Sequence, residues 1–240
     1  MRQNNQPEPP TTTNTAAVIV AAGSSSRMGG VDKIFASVAG RSVIAHSLVA
    51  FEQHPHIGAV VIVFRPDLLN KGAALVSENK CTKVQAIVTG GDRRRDSVEA
   101  GLDALPETCR WVLIHDGARP CLRPEIINRG LATAGEFGAA VAAVPVKDTI
   151  KIVETDKTVV ETADRTKLWA VQTPQIFRLD VLRAAYNAIS EETTDDAALV
   201  EKLGHGVKVF MGSYENIKVT TTEDLEIVEA FLKPAGEAGR

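Results

Sequence analysis

The residues best suited to chemistry in this chain lie in one loop. It runs Ala21-Ala22-Gly23-Ser24-Ser25-Ser26-Arg27-Met28-Gly29-Gly30-Val31-Asp32-Lys33. An apolar run stops at Gly23, small residues follow, and Arg27 and Lys33 bring two cations to the same place. Small side chains let backbone N–H groups approach phosphate oxygens, and the cations neutralise them. A loop of this kind suits a triphosphate, and the chemistry it points to is phosphoryl or nucleotidyl transfer. A turn after a core strand is the plain alternative. The spacing contains neither G-x-G-x-x-G nor G-x-x-x-x-G-K-[ST], which excludes a dinucleotide fingerprint and a P-loop.

Two more polar clusters follow apolar runs. One is Gly90-Gly91-Asp92-Arg93-Arg94-Arg95-Asp96-Ser97, and the other is Asp116-Gly117-Ala118-Arg119-Pro120. The elements that must hold them can be read from periodicity. Apolar runs at 17–21, 59–64, 84–88, 111–115 and 139–146 read as strands. Helical patterns fill 42–52, 66–78, 93–105 and 124–136. This alternation predicts an α/β fold, a mostly parallel Rossmann-like sheet flanked by helices. Ligands bind such sheets outside the carboxyl ends of the strands. All three polar clusters fall at strand ends of that kind.

The rhythm breaks after Pro145. Residues 148–165 are β-prone and charged, with Thr155-Asp156-Lys157 as a turn. They predict a protruding β-hairpin arm over about 147–166. A lone hairpin is marginal in water, so the arm is expected to pack on a second subunit of a homodimer, with an ordinary surface excursion as the plain alternative. The chain then returns through 168–177. Helices from Asp180 and Asp195, a strand at 207–210 and a closing helix from Thr222 complete it. Residues 1–14, rich in Gln, Asn, Pro and Thr, read as a disordered tail before a single domain over 15–240.

Composition bounds the partners. The 240 residues carry a formal net charge of −3, with 44% hydrophobic and 24% charged residues. No overall basicity argues for nucleic acid. The run Arg93-Arg94-Arg95 has no aromatic platform beside it and reads as solvated surface. Cys81, Cys109 and Cys121 are scattered and form no C-x-x-C, which fits a reducing cytoplasm. No apolar run is long enough to span a membrane. His54 and His56 bracket Pro55 in a turn without the company a metal site needs.

Further motifs are Asp164-Arg165, Leu168-Trp169, Thr173-Pro174-Gln175, Thr194-Asp195-Asp196-Ala197 and Asn216-Ile217-Lys218-Val219-Thr220. The first loop resembles the A-A-G-x-x-x-R-M…K signature of nucleotidyltransferases. With Gly91-Asp92-x-Arg94-x-x-Ser97, His115-Asp116-x-Ala118-Arg119-Pro120 and Val146-Lys147-Asp148-Thr149-Ile150-Lys151, the chain from residue 16 to its last helix resembles the 2-C-methyl-D-erythritol 4-phosphate cytidylyltransferase family. One position departs. Family members often carry Pro before the lysine of the first loop, and here Asp32 precedes Lys33.

The resemblance implies a nucleotidyltransferase fold and a reaction of CTP with methylerythritol phosphate, with Mg²⁺ as cofactor. It implies Arg27 and Lys33 on the triphosphate, and Ala21, Ala22 and Gly23 cradling the nucleotide. Gly91, Asp92 and Ser97 would line the cytosine pocket, with Asp116 and Ala118 also on the nucleotide side. Ser97 could instead cap a helix. Arg119, Thr149, Arg165, Thr173, Thr194 and Lys218, together with Asp116, would hold the second substrate. Arg165 and Lys218 would position its attacking phosphate, and Thr149 would complete the neighbouring subunit's site. Mg²⁺ would be held mainly by CTP phosphates, with Asp116 as a candidate ligand. Two other readings stay open. One is a cytidylyltransferase for ribitol 5-phosphate or a related polyol phosphate. The other is a non-catalytic nucleotide-binding regulator.

Overall fold

The computed structural model describes residues 8–23 and 32–233. Its spine is a seven-stranded sheet. Strand β1 (Thr15–Ala21) is small and β-branched, and it lies between β4 (Ala59–Phe64) and β6 (Trp111–Asp116), parallel to both. Strand β5 (Val84–Thr89) extends the sheet beyond β4. On the other side stand β10 (Trp169–Arg178), β7 (Ala139–Pro145) and β11 (Lys208–Met211). Only β10 runs antiparallel to its neighbours β6 and β7.

Helices cover both faces. Helices α1 (Val43–Gln53), α2 (Leu69–Glu78) and α4 (Pro124–Phe137) pack on one face around Ile19, Phe51, Phe64 and Trp111. Helices α3 (Arg94–Asp103), α5 (Leu179–Ala188) and α6 (Asp196–Lys202) cover the other around Val18, Val63, Ile114 and Phe177. Helix α3 sits very close to β1, because a Cβ at Gly101 would lie 2.4 Å from Val18. Burial on both faces explains why the central strands read as unbroken apolar runs. The last helix, α7 (Glu223–Leu232), closes a smaller cluster with Val38, Val43, Cys121 and Val219.

Several details differ from the expectations. The stretch 66–78 divides into a 3-10 turn, Pro66–Leu68, and α2. A two-stranded ribbon, β2 (Ser37–Val38) with β3 (Arg41–Ser42), was not foreseen. The expected tail includes residues 8–14, which are in fact tied to the body. Trp111 Nε1 donates to the Glu8 carbonyl at 2.8 Å, and Thr12 Oγ1 donates to that of Pro55 at 2.5 Å. Asn14 is 6% exposed, and its carbonyl accepts from Arg110 and Trp111. Polar composition did not reveal that the Asn14 carbonyl extends the β1–β6 pairing by one step at its start. The rest of that tail, 1–7, lies outside the described residues.

The arm is present as β8 (Lys151–Val153) paired antiparallel with β9 (Val159–Thr162), in a separate two-stranded sheet. Among the described residues no helix is long and apolar enough to cross a membrane.

Candidate active site

Asp116 ends β6, and in register it stands beside Val20 of β1. Its carboxylate collects three cations. Lys218 Nζ is 2.9 Å from Oδ2, Arg119 Nε is 3.6 Å from Oδ2, and Arg94 Nε is 3.8 Å from Oδ1. Burial alone would raise the Asp116 pKa. Lys218, Arg94 and Arg119 overcome that and hold it well below the usual carboxylate range. Asp116 is therefore ionised, and it aims these cations at one strand edge. Arg119 Nε is buried and makes no hydrogen bond among the described residues, so a donor is left over in the cluster. Lys218 reaches Asp116 because the Val219 N–H donates to the Ala118 carbonyl at 2.8 Å.

Behind this cluster lies a neutral relay. Thr173 Oγ1 accepts from the Asp116 N–H at 3.0 Å and lies 3.1 Å from His115 Nδ1. His115 Nε2 lies 3.2 Å from the Arg119 carbonyl, which can only accept. His115 must then donate from Nε2 and accept from Thr173 at Nδ1. A proton on Nδ1 would oppose that arrangement. Burial pushes the His115 pKa down to about 4, so the ring is neutral near pH 7. Asn216 closes the relay, with Nδ2 donating to the Thr173 carbonyl and its own carbonyl accepting from Arg119 Nη1, both at 2.8 Å. Sequence reasoning placed Thr173 at the site but gave His115 no part. The signal was its position directly before Asp116, on the opposite face of the strand.

The second polar cluster lies beside this one. Ser97 is 2% exposed in α3, and its hydroxyl lies 3.4 Å from the Gly91 carbonyl and 3.2 Å from the Arg93 carbonyl. The helix-cap alternative for Ser97 fails, because α3 begins at Arg94 and Asp96 accepts from the Arg93 N–H at 3.2 Å. Gly90 has to be glycine here, since a Cβ would lie 2.5 Å from the Ala22 Cβ and 2.6 Å from Ser97 Oγ. That close approach brings the end of β1 against the 90–97 loop. Gly91 and Asp92 are exposed on the same loop.

The run 93–95 is not uniformly solvated surface, as its composition suggested. Arg94 Nη2 lies 2.7 Å from Asp196, whose side chain is fully buried and also accepts from Tyr186 at 2.5 Å. Arg95 lies over the Tyr186 ring at 5.0 Å and donates to the backbone carbonyls of Tyr186 and Ile189. Arg93 remains at the surface, paired with Asp96. Asp195 caps α6 by accepting from the Ala198 N–H at 3.0 Å, and it also takes Gln175 Nε2 at 2.8 Å.

The first loop is described at its two ends. Ala21 and Ala22 are buried at the end of β1, and Gly23 is exposed. Arg27 lies outside the described residues, and Lys33 stands in a turn at the far end. Ala118 is 5% exposed beneath the Asp116 cluster. Thr149 and Arg165 are exposed at the arm, where Arg165 Nη1 donates to the Lys147 carbonyl at 3.1 Å. Thr194 is exposed before α6. Among the described residues these three make no hydrogen bond or ion pair to Asp116, Arg119 or Lys218. The fold thus gathers Asp116, Arg119, Thr173 and Lys218 and leaves Thr149, Arg165 and Thr194 outside that cluster. Three groups of the constellation escaped sequence reasoning: His115, Asp196, and the buried part played by Arg94.

Comparison with known proteins agrees with this geometry. The family model described as 2-C-methyl-D-erythritol 4-phosphate cytidylyltransferase matches residues 15–234. The protein of that name from Dehalococcoides mccartyi (strain ATCC BAA-2266) is 52% identical over 207 residues, covering 86% of this chain and 91% of its own. The one from Pelotomaculum thermopropionicum is 47% identical over 213 residues, covering 87% and 90%. The crystal structure of 4-diphosphocytidyl-2C-methyl-D-erythritol synthase from Anaerococcus prevotii superposes with a TM-score of 0.82 at 30% identity, over 93% of this chain and 97% of that one. The 2-C-methyl-D-erythritol 4-phosphate cytidylyltransferase from Thermus thermophilus gives 0.74 at 31%, over 90% and 98%. With one strand edge carrying the cation cluster and the match running through nearly the whole described fold, this chain belongs to the 2-C-methyl-D-erythritol 4-phosphate cytidylyltransferase family.

Proposed function

We propose that this chain transfers the cytidylyl group of CTP to 2-C-methyl-D-erythritol 4-phosphate, giving 4-CDP-2-C-methyl-D-erythritol and pyrophosphate for isoprenoid biosynthesis. The observation that carries the mechanism is the Asp116 cluster, with Lys218, Arg119 and Arg94 around one carboxylate beside the end of β1. The nucleophile is a phosphate oxygen that is already an anion, so no side chain has to remove its proton. It attacks the α-phosphorus, and the bond from that phosphorus to the bridging oxygen breaks. The electron pair leaves with pyrophosphate. The barrier is repulsion between two anions, and preorganised cations lower it.

Lys218 and Arg119 meet the attacking phosphate, with Arg119 Nε held near Asp116 at 3.6 Å but not hydrogen-bonded to it. Arg27 and Lys33 hold the triphosphate and stabilise the departing pyrophosphate. Ala21, Ala22 and Gly23 cradle the nucleotide with Ala118. Gly91, Asp92 and Ser97 line the cytosine pocket, and Thr173 and Thr194 bind the polyol side. Among the described residues no group of three His, Cys, Asp or Glu is placed to hold a metal ion. Asp116 Oδ1 is only lightly engaged, with Arg94 at 3.8 Å. That donor set fits Mg²⁺ carried mainly by phosphate oxygens and water, with Asp116 as a candidate protein ligand. When bound, Mg²⁺ supplies further charge neutralisation on the phosphates.

The arm makes this a homodimer in our reading. Ile152, Val153, Val159 and Val160 are 49–59% exposed on it, and Thr149 and Arg165 are exposed at its base. Three free, separate cysteines fit a cytoplasmic setting.

The deciding experiment supplies purified protein with CTP and Mg²⁺ and measures pyrophosphate release with each polyol phosphate. Rapid release with methylerythritol phosphate alone is expected. Equal or faster release with ribitol 5-phosphate would move the assignment to that substrate. CTP binding without release from any of them would make the chain a regulator.

A further inference from the structure

Arg65 directly follows β4, the strand paired with β1. Its guanidinium spreads over three neighbours. Nη1 donates to the Gly23 carbonyl at 3.4 Å and to Asp32 Oδ1 at 3.3 Å. Nη2 donates to Asp32 Oδ2 at 3.0 Å and to Asp67 Oδ2 at 3.1 Å. Nε donates to Asp67 Oδ1 at 3.1 Å. Gly23 and Asp32 stand on either side of residues 24–31, the stretch that contains Arg27. One planar cation therefore joins both ends of that stretch and anchors them to the end of β4.

The chain beyond Asp32 is held as well. The Phe35 N–H donates to the Asp32 carbonyl at 2.9 Å, and Ile34 is 4% exposed in the core. Phe35 stacks on Phe64 with ring centroids 5.8 Å apart. Lys33 thus sits between Asp32, held by Arg65, and Ile34, held by the core. The contact with Asp32 is partly shielded, with the two side chains 27% and 19% exposed, whereas Asp67 is 63% exposed. A rigid fork of donors can bridge a carbonyl and two carboxylates at once. A lysine ammonium has three donors and no planar fork, so it cannot reproduce the five contacts that pair side-on with both carboxylates and reach the carbonyl.

We propose that Arg65 is a positioning residue for CTP: its bridge between Gly23 and Asp32 fixes the spacing of the nucleotide loop's two ends and so sets where Lys33 meets the triphosphate. This rests on reading Lys33 as a triphosphate cation. It also accounts for an aspartate directly before that lysine. The Asp32 carboxylate is engaged by Arg65, and its charge serves as an anchor.

The test compares Arg65→Gln, Asp32→Ala, their double variant and Arg65→Lys. It measures kcat and KM for each substrate, together with backbone amide exchange of peptides spanning residues 23–33. Arg65→Gln and Asp32→Ala should each lower kcat/KM for CTP by about tenfold. The KM for methylerythritol phosphate should stay within about twofold, since the bridge acts on one substrate only. The double variant should lose no more than the worse single one, because both remove the same bridge. Arg65→Lys should not restore it, and amide exchange across 23–33 should rise in Arg65→Gln. Wild-type CTP kinetics in Arg65→Gln would overturn the proposal, as would losses that multiply in the double variant or full rescue by Arg65→Lys. Normal turnover in Lys33→Ala would sink the reading of Lys33 instead. Exchange across 23–33 then decides the bridge, and no change in Arg65→Gln overturns it.

Discussion

His115 and Asp116 are neighbours in sequence with opposite electrostatic settings. His115 is wholly buried among neutral partners, and Asp116 is ringed by cations. The His115 pKa of about 4 lies below its ordinary 6.5. Between those values the unfolded chain binds a proton that the folded chain refuses, so stability falls as pH falls from 6.5 toward 4. The slope from this group reaches at most about 1.4 kcal/mol per pH unit. Burial also lowers the pKa of His46 and His54, and they share the window. The diagnostic quantity is therefore a difference: denaturant midpoints measured from pH 7 to 4 should fall less steeply in His115→Gln than in the parent chain. Parallel curves would refute the assignment. The depressed Asp116 pKa acts lower still, and its contribution fades only as pH falls below the ordinary carboxylate range. Lys33 sits at the same scale with a different readout. Lys33→Ala should cut turnover on the order of a hundredfold while leaving the melting temperature nearly unchanged, as for loss of a preorganised electrostatic contact. Near-normal turnover in a folded variant would reject its role. Ser97→Ala should raise the KM for CTP and weaken discrimination against UTP, a result that an unchanged nucleotide preference would contradict.

Arg94 belongs to the scale of elements, because it joins the start of α3 to the end of β6 and the start of α6 through Asp116 and Asp196. Removing it leaves the Asp196 carboxylate fully buried with Tyr186 as its remaining side-chain donor among the described residues. Breaking a buried pair from one side is costly, but Arg94 keeps 32% of its side chain exposed, which reduces the loss. Arg94→Gln should cost about 2 kcal/mol, and adding Asp196→Asn should recover part of that because the stranded charge is gone. Additive losses in urea melts would argue against the link. The same residue marks how far the sequence can be read. The central strands were legible because burial on both faces leaves continuous apolar runs, and the strand expected at 59–64 is β4 with the same bounds. The three polar clusters at strand ends were legible for the same reason. Arg94 was missed because its neighbours look like a solvated charge run and its partner Asp196 lies 102 positions away. The place of β10 was missed too, since no local pattern says that a late strand will insert antiparallel between β6 and β7.

At the scale of the whole molecule, the arm is the feature one chain leaves unfinished. Among the described residues, strands β8 and β9 pair only with each other, and their apolar side chains are about half exposed. The apolar exposure continues onto the sheet at Trp169 and Val171 of β10. A two-stranded ribbon with such a surface gains stability from a partner. A second copy of this chain would bury it and receive Thr149 and Arg165. Ile152→Asp with Val160→Asp should therefore give a monomer in light scattering, with activity lost in proportion. Subunit mixing tests the shared site directly. On the shared-site reading, with Arg165 acting in trans like Thr149, Lys33→Ala damages a site from within its own chain, whereas Thr149→Ala with Arg165→Ala damages the site of the neighbour. In a mixed dimer one site carries both lesions and the other carries none. Random mixing makes about half the dimers mixed, so about a quarter of the parent activity should return from two inactive proteins. If the arm served its own subunit, each site in the mixed dimer would carry one lesion and nothing would return. A fully active monomer at assay concentration would reject the shared site and require the arm to fold back on its own chain.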